Sequence, residues 1–354
     1  MMITGVEPIT LAIPFSYGGA ARAPLDFCLV RVETDAGIVG WGEAFSYHCR
    51  SAVAAAVRDM IAPLVVGQYA GEIAQLHVAI QKKLHIFGRF GITAFALSGL
   101  DIALWDIAAK ARNISLCNLL GGAKRSTVPC YASLLRYAEP KRVARHCARA
   151  LEEGYGAIKL HEVSEPAVAA AREVLGAELP LMLDVNCEWA LPQALEVGQA
   201  LKRHRLTWLE EPLFPPEDLA GMRAVGEASG IDIASGENFS FATQFAALIQ
   251  ARAVRYLQPS VTKVGGITEF SKVVQLAGAS GVRIAPHSPY FGPGALATLH
   301  ILAALVPEAR FEYYYLSAEA TLYPGLFGKS EVKIPDGIGL GLEPDAAVLE
   351  RYRA

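Results

Sequence analysis

The sequence has little charge and no strong imbalance between the two signs. Only 19% of its 354 residues are charged, and 32 Lys and Arg nearly balance 35 Asp and Glu, for a formal net charge of −3. It contains no basic run and no acidic tail, which argues against nucleic acid or an anionic membrane surface as the main partner. Because 53% of the residues are hydrophobic, the chain predicts a globular protein with a large core and a small-molecule partner.

Features typical of secreted and membrane proteins are also missing. The six cysteines show no CxxC or paired spacing, which favours reduced thiols in a cytoplasmic protein. Residues 1–15 lack a basic start and contain Glu7 and Pro8, so they predict a strand rather than a signal peptide. The longest apolar stretch, residues 92–111, is interrupted by three charged side chains. It therefore predicts a buried or amphipathic helix and not a membrane span.

The first third of the chain has the pattern of an α+β unit. Residues 27–32 and 38–43 read as two strands, and the turn sequence TDAG at 34–37 between them predicts an antiparallel hairpin. Three helical patterns follow, at residues 51–65, 73–86 and 92–112. Together they predict an α+β domain of roughly 120 residues.

From residue 128 onward, short apolar runs alternate with helical stretches. The eight runs are 128–133, 157–161, 179–186, 206–210, 231–237, 253–258, 282–287 and 310–315. This repeat predicts an α/β fold with a closed (β/α)8-type barrel. An open doubly wound sheet is disfavoured because no GxGxxG follows the first strand. The predicted division is a capping domain at 1–122, the barrel at 123–318, and a C-terminal segment at 319–354 that returns to the capping domain.

Charged and polar residues end five of the predicted strands, where barrel enzymes place their active sites. Asp184, Glu210 and Glu237 lie 26 and 27 residues apart and end three successive strands. Three carboxylates in one mouth would repel each other, and a hard cation such as Mg²⁺ relieves that repulsion. The alternative is that they are solvated loop acids or helix N-caps, which three matching positions make less favourable.

Lysines and histidines end other strands and are candidate proton carriers. Lys159 and His161 are two residues apart and so face the same side of their strand. A lysine buried near a metal is expected to have a lowered pKa and could act as a base, and histidine needs less shift. Lys263 and His287 follow the sixth and seventh runs and could act from the other side. Alone, His161 would more often be structural and Lys159 a surface lysine.

Five motifs make the sequence resemble the enolase superfamily, and within it the mandelate racemase/muconate lactonizing enzyme group. They are ALSGLDIALWD at 96–106, GYGAIKLH at 154–161, WLEEP at 208–212, SGE at 235–237 and VGGIT at 264–268. The resemblance covers nearly the whole chain. It implies a modified barrel with a capping domain, an Mg²⁺ cofactor, a small carboxylate substrate and a symmetric homo-oligomer. In such sites a lysine or histidine base works beside the metal ion.

By position, the resemblance implies roles for single residues. Asp184, Glu210 and Glu237 match the Mg²⁺ ligands, and Glu312 matches an acid near the substrate carboxylate. His161 stands where the second lysine of a Lys-x-Lys motif is usual, so the base could be Lys159 or His161.

A second departure concerns the other side of the site. Ser260 replaces the aspartate that usually orients the histidine matched by His287, while Lys263 holds the place of the muconate-lactonizing base. His287 then suits a general acid better than a strong base.

The resemblance also implies a loop that closes on the substrate, for which residues 15–22 are the equivalent. On this basis Tyr17, Arg22 and His48 are predicted to contact the distal end of the substrate. Asn186, at the end of the third barrel strand, is predicted to bind the substrate as well.

The pattern favours dehydration of a sugar-derived acid, with Lys159 or His161 removing the α-proton and His287 protonating the leaving hydroxyl. Racemisation, epimerisation or cycloisomerisation is the alternative, with Lys263 acting on the opposite face. A non-catalytic binding protein is the remote alternative, because a complete ligand set would then have no reason to be kept.

Overall fold

Residues 1–17, 20–21 and 24–354, which this computed structural model describes, contain fifteen strands and thirteen α-helices. The strands are β1 (Ile3–Ile13), β2 (Phe15–Tyr17), β3 (Ala20–Ala21), β4 (Leu25–Thr34), β5 (Val39–Ala44), β6 (Thr127–Ser133), β7 (Ile158–Leu160), β8 (Leu181–Asp184), β9 (Trp208–Glu210), β10 (Ile233–Ser235), β11 (Tyr256–Leu257), β12 (Arg283–Ile284), β13 (Phe311–Tyr314), β14 (Ser317–Ala318) and β15 (Glu331–Lys333). The helices are α1 (Arg50–Ala55), α2 (Ala62–Val65), α3 (Ile73–Leu84), α4 (Ile92–Ala111), α5 (Leu116–Leu119), α6 (Pro140–Glu152), α7 (Glu165–Leu175), α8 (Leu191–Leu201), α9 (Leu219–Ser229), α10 (Phe241–Gln250), α11 (Gly266–Ser280), α12 (Pro293–Ala304) and α13 (Ala346–Arg351). A π-helical segment (Ala56–Ile61) joins α1 to α2, and short 3-10 turns (His85–Phe87 and Lys202–His204) follow α3 and α8.

The capping domain is built on the antiparallel sheet β1-β4-β5 with α1–α5. The predicted hairpin is confirmed as β4 and β5. Its turn closes with the amide of Gly37 donating to the carbonyl of Thr34 at 3.0 Å, and Gly37 has a φ of +74°, which suits glycine. A small second sheet, β14-β2-β3, joins the start of the chain to the end of the barrel.

Helix α4 packs unusually close to β5 because both carry glycine at the contact. A Cβ on Gly40 would lie 2.3 Å from the carbonyl oxygen of Ala103, and one on Gly42 would lie 1.8 Å from that of Gly99. No side chain could fit there without moving the backbone. The helix is long and apolar enough to cross a membrane, but 78% of its most apolar window is buried inside the protein. The prediction of a buried helix at this position is confirmed.

The second part is a parallel sheet wrapped into a barrel. Each of the eight apolar runs contains one strand, and they pair in the order β12-β11-β10-β9-β8-β7-β6-β13. Along the chain, each of the strands β6 to β12 is followed by one helix, from α6 after β6 to α12 after β12, as in βα repeats. In the described part of the chain, no ladder joins β12 to β13, and β15 adds to β6 in antiparallel fashion. The architecture is a modified (β/α)8 barrel with a capping domain, as the sequence predicted.

Polar side chains of α4 hold the capping domain to the barrel. Asp101 accepts hydrogen bonds from the amide (2.9 Å) and the hydroxyl (2.6 Å) of Thr268, at the start of α11. Asp106 accepts from the amides of Trp41 (3.0 Å) and Leu340 (2.8 Å). The aspartates that interrupt the apolar helix therefore satisfy backbone donors between the two parts.

The C-terminal segment contacts the capping domain. The amide of Ala12 in β1 donates to the carbonyl of Tyr352 at 3.0 Å, and Leu11 forms a bridge with Arg353. The domain boundaries at 122 and 318 stay predictions.

Candidate active site

The barrel interior is layered, and the layer nearest the mouth is polar. A cluster of buried side chains fills the layer below it: Tyr131, Ala157, Met182, Trp208, Ala234, Tyr256 and Ala285. Side chains alternate along a strand, so the residues two positions further on point into the barrel one layer higher. These are Ser133, Lys159, Asp184, Glu210, Gly236, Gln258 and His287. The layer that faces the mouth thus contains four of the twelve predicted site residues: Lys159, Asp184, Glu210 and His287.

Lys159 lies at the centre of this layer and is completely buried. Its Nζ lies 2.8 Å from Glu210 Oε1, 3.2 Å from Asp184 Oδ2 and 2.7 Å from Glu312 Oε1. Burial alone would lower the pKa of Lys159, but the three carboxylates outweigh it and raise that pKa well above the ordinary value. The sequence predicted a lowered pKa for a lysine beside a metal ion; here the carboxylates that such an ion would neutralise face the lysine directly and raise its pKa. Lys159 is a buried counterion in this structure.

Asp184 and Glu210 stand side by side at the ends of β8 and β9, where they are register partners. Asp184 Oδ1 accepts from the amide (2.9 Å) and the side-chain amide (2.7 Å) of Asn186, and Glu210 Oε2 accepts from the indole of Trp208 (2.9 Å). Burial, followed by the charge of Asp184, raises the pKa of Glu210 well above its usual range. A further positive charge nearby would stabilise the ionised forms of these two carboxylates.

Glu237 lies two residues beyond β10 and faces the other side of the mouth. Its Oε2 is 2.5 Å from His287 Nε2, and its Oε1 is 3.8 Å from Lys263 Nζ. Burial would raise the pKa of Glu237, but His287 and then Lys263 lower it, while the charge of Asp184 opposes them. The repulsion from Asp184 indicates that the third predicted ligand shares the electrostatic field of the other two.

The donor set fits a hard divalent cation in its chemistry. It consists of carboxylate oxygens at the ends of three successive strands, and Mg²⁺ is bound in this way in many enzymes. As the side chains stand, the described residues hold no group of three or more His, Cys, Asp or Glu placed to grip a metal ion. Lys159 joins Asp184 to Glu210 instead, and His287 holds Glu237. The assignment of the three carboxylates as metal ligands stays a prediction.

His161 is held at the rim by two contacts. Its Nδ1 donates to the carbonyl of Leu134 at 2.7 Å, and its Nε2 lies 3.2 Å from Asp184 Oδ2. Burial would lower the pKa of His161, but Asp184 outweighs it and raises that pKa. The bond to Leu134 fixes the ring so that Nε2 is the nitrogen that faces the site.

His287 is oriented differently from the pattern that the resemblance implied. Ser260, which replaces the usual aspartate, pairs with the hydroxyl of Thr262 at 3.1 Å. His287 Nδ1 is buried and has no hydrogen-bond partner in the described part of the chain. The ring is held through Nε2 by Glu237. The predicted absence of an orienting carboxylate on Nδ1 agrees with these contacts.

Glu312 closes the polar layer on β13. Its Oε1 accepts from Ser133 Oγ at 2.7 Å, and its Oε2 accepts from the amide of Ser288 at 2.7 Å. Burial would raise the pKa of Glu312, but Lys159 and then His287 lower it. Glu312 therefore joins the ends of β6, β12 and β13 as a buried carboxylate.

A cavity of about 270 Å³ opens above this layer. Six predicted site residues line it: His161, Asn186, Glu237, Lys263, His287 and Glu312. Seven further residues, none of them predicted, complete the wall: Phe45, Tyr47, Leu135, Arg136, Ser288, Tyr290 and Tyr314. Phe45 and Tyr47 directly follow β5, so the capping domain supplies part of the wall. Lys263 Nζ lies 4.6 Å from the centre of the Phe45 ring, a cation–π contact across the two domains.

Of the predicted distal contacts, one can be placed and it lies away from the cavity. The His48 side chain is 55% exposed, packs on the ring of Tyr47 and lies 4.0 Å from Asp26. Arg22, with Gly18 and Gly19, falls outside the described residues, as does the side chain of Tyr17. These contacts stay predictions.

Glu211 is a buried acid that the sequence analysis did not single out. Its Oε2 accepts from the side-chain amide of Asn238 at 2.7 Å and from the thiol of Cys187 at 3.5 Å, and its Oε1 has no partner among the described residues. Burial, followed by the charges of Glu237 and Asp184, raises the pKa of Glu211 to about 8. The sequence signal for this residue was the pair of adjacent acids in WLEEP. Adjacent residues of a strand face opposite sides, so Glu211 has surroundings different from those of Glu210.

Two family models match the chain. The model for the N-terminal domain of mandelate racemase / muconate lactonizing enzyme matches residues 2–121, and the enolase C-terminal domain-like model matches residues 142–348.

Relatives and solved structures agree with these matches. The chain is 32% identical to D-galactarolactone cycloisomerase of Agrobacterium fabrum, covering 92% of this chain and 90% of that protein. It is 31% identical to arabinonate dehydratase of Saccharolobus solfataricus, and the match covers 95% of this chain and 92% of that protein. A crystal structure of a mandelate racemase/muconate lactonizing protein from Paracoccus denitrificans, complexed with magnesium, superposes with a TM-score of 0.89 at 29% identity, covering 99% and 96% of the two chains.

Proposed function

Since the chain belongs to the mandelate racemase/muconate lactonizing enzyme group of the enolase superfamily, we propose that it dehydrates a sugar-derived acid to a 2-keto-3-deoxy acid with Mg²⁺. Relatives named as acid-sugar dehydratases support the reaction class. Magnesium in solved structures of similar chains supports the cofactor.

The observation that carries the proposal is a pair of histidines that face one cavity from different strands. His161 follows β7 and His287 follows β12, and both line the cavity. Loss of water needs one group that removes a proton from the α-carbon and another that gives a proton to the β-hydroxyl. Two histidines held in different ways supply both functions.

His161 is the proposed base. Its Nδ1–H is bonded to Leu134, so Nε2 is the nitrogen that would take the α-proton; Nε2 now faces Asp184 at 3.2 Å, and it would be free to act as a base once Asp184 serves as a metal ligand instead. Lys159 does not line the cavity and is held by three carboxylates, so its role in the proposal is to position them.

His287 is the proposed acid. The contact with Glu237 places a proton on Nε2, because only a protonated nitrogen donates to a carboxylate. As the α C–H bond breaks, the proton passes to His161; as the β C–O bond breaks, the hydroxyl leaves as water with the proton of His287. The enol that remains tautomerises to the 2-keto acid.

Asp184, Glu210 and Glu237 would hold the Mg²⁺. The chemistry that such an ion supplies is neutralisation of the charge that develops on the substrate carboxylate when the α-proton leaves. Asn186 orients Asp184, and Trp208 orients Glu210.

Cycloisomerisation or epimerisation is the second candidate, and Lys263 favours it. Lys263 lines the cavity beside Glu237 and could return a proton to the opposite face of the α-carbon. Two relatives are named as cycloisomerases.

The test is turnover of a library of acid sugars and their lactones with Mg²⁺ in D₂O, read by mass spectrometry. Dehydration removes one water and takes up one deuterium when the enol tautomerises, whereas cycloisomerisation and epimerisation lose no water and gain one deuterium each. NMR of the recovered acid separates these two, because only cycloisomerisation breaks a C–O bond and gives a keto acid. No turnover and no exchange with any acid would support a binding protein instead.

Two variants separate the two histidines once a substrate is found. His287→Asn should still exchange the α-proton with solvent but form no keto acid, whereas His161→Asn should do neither. His85→Asn, which changes an exposed histidine of the capping domain, is the matched control. Retained exchange in His161→Asn would reassign the base to one of the lysines.

A further inference from the structure

A second cavity, of about 600 Å³, lies outside the barrel mouth and is larger than the first. Its wall combines tyrosines, a histidine and two arginines. The wall residues used below are Arg145, His146, Arg149, Tyr155, Tyr313 and Tyr315. Nothing in the proposed dehydration uses any of them.

The two cavities lie on opposite faces of the same strand. In β13 and the residue after it, Glu312 and Tyr314 line the active-site cavity, whereas Tyr313 and Tyr315 line the second one. Such alternation is the normal geometry of a strand. A molecule bound in the second cavity would therefore contact the strand that carries Glu312.

Two buried polar atoms in this wall have no protein partner. Tyr155 is 2% exposed and His146 is 8% exposed, and neither the Tyr155 hydroxyl nor His146 Nε2 makes a hydrogen bond with the described residues. Buried polar atoms are usually paired, because leaving one unpaired costs free energy. Their pairing with a bound molecule would account for both.

The charge of the wall is positive. Arg149 donates to Glu153 at 2.8 Å, and Glu153 also accepts from the hydroxyl of Tyr315 at 2.7 Å, so this acid is already engaged. Arg145 makes no hydrogen bond or ion pair within the described part of the chain. Burial, followed by Arg145 and the other arginines of α6, lowers the pKa of His146. The cavity thus offers a free guanidinium beside a neutral imidazole.

We propose that this cavity is a second small-molecule site, which binds a hydroxylated organic anion with its acidic group on Arg145 and its hydroxyl groups on Tyr155 and His146. Guanidinium groups bind carboxylates and phosphates through paired hydrogen bonds, so either acidic group suits the site. The tyrosine rings supply flat apolar faces for the carbon skeleton.

The test is protection of Arg145 from phenylglyoxal in the full-length enzyme, read by peptide mass spectrometry. D-gluconate is the carboxylate probe, glycerol phosphate the phosphate probe, and D-glucose the neutral probe. We expect one or both anions to slow modification of Arg145 about fivefold or more, and glucose to have no effect. Arg223 is the internal control, because its ion pair with Glu227 on α9 (2.7 Å) matches that of Arg149 with Glu153 on α6.

Variants assign the protection to this cavity. Tyr155→Phe should raise the anion concentration needed for protection about threefold to tenfold, since it removes one hydrogen bond to a hydroxyl group of the ligand. Tyr323→Phe, which removes another buried hydroxyl without a partner in the described residues, should leave it unchanged. Protection should persist in Glu210→Gln, which separates this site from the proposed active site.

Three results would each overturn the proposal. The first is that neither anion protects Arg145. The second is that Arg223 is protected equally, which would indicate a general ionic effect. The third is that Arg145 is unreactive before any anion is added, which would indicate that another subunit covers the cavity.

Discussion

Two sets of buried carboxyl groups lie in this protein, one between the capping domain and the barrel and the other at the barrel mouth. Asp101 and Glu43 form the first set, and backbone amides of the barrel, from Thr268 and Gly294, donate to them. Asp184, Glu210 and Glu237 form the second, and the side chains of lysines and histidines neutralise them.

Every acid of the second set faces a lysine or histidine side chain, even where it also accepts a backbone amide, as Asp184 does from Asn186. A backbone amide cannot leave its carboxylate without local unfolding, so the first set is fixed and structural. A lysine or histidine side chain can turn away and release the carboxylate for another cation. Buried acids next to mobile cations, beside polar atoms without partners, therefore indicate a functional site more strongly than burial alone.

The largest expected effect is on turnover, from a substitution in the second set of carboxyl groups, at the barrel mouth. Glu210→Gln keeps the shape of the side chain but removes a proposed metal ligand and one partner of Lys159, so kcat should fall about a thousandfold or more. The measurement is turnover at saturating Mg²⁺, with circular dichroism to check folding. Glu227→Gln, an exposed acid on α9, is the control and should keep full activity. Unchanged turnover in Glu210→Gln would refute the metal mechanism.

Removing a member of the first set should act on stability instead. Asp101→Ala leaves the buried amide of Thr268 without its acceptor, so the free energy of unfolding should fall by about 2–4 kcal/mol. Urea denaturation measures this loss. We expect kcat of the folded variant to stay within about twofold, and a loss comparable to that of Glu210→Gln would show that the two sets are not separate.

A smaller effect concerns the pH dependence of stability. Burial raises the pKa of Glu43 from 4.5 to about 8, against the opposing hydrogen bond from Gly294. Because the folded state binds this proton more tightly than the unfolded state, the stabilisation is complete below the unfolded pKa and is lost as the pH rises through the folded one.

Glu43→Gln should remove this dependence. The variant should gain about 2 kcal/mol on the parent between pH 5 and pH 8, measured by urea denaturation at both values. A constant difference between the two proteins across this range would mean that Glu43 is ionised in the folded protein.

The fold class was predictable because eight apolar runs alternate with helical stretches, and five of these runs end in charged or polar residues. Asp184 and Glu210 could be placed for the same reason, since parallel strands bring their ends to one edge. The three-carboxylate environment of Lys159 was not predictable. It depends on register across β7, β8, β9 and β13, which no local pattern specifies.

The cavity wall was largely out of reach of the sequence. Phe45 and Tyr47 reach the site only because the capping domain docks on the barrel, and Arg136 and Tyr290 lie in loops after strands. Loop positions depend on long-range contacts, so their side chains could not be assigned from spacing. His48 packs on the ring of Tyr47 and does not line the cavity as the side chains stand, so its contact with the substrate stays a prediction.

The contact of residues 340–354 with the capping domain has a consequence for synthesis on the ribosome. Asp106 can accept the hydrogen bond from the amide of Leu340, and β1 can donate to the carbonyl of Tyr352, only after the whole barrel has been translated. Domains made first usually fold first. Here the edge of β1 gains the partners at residues 352–354 only after the barrel has been translated, so the capping domain completes its contacts late.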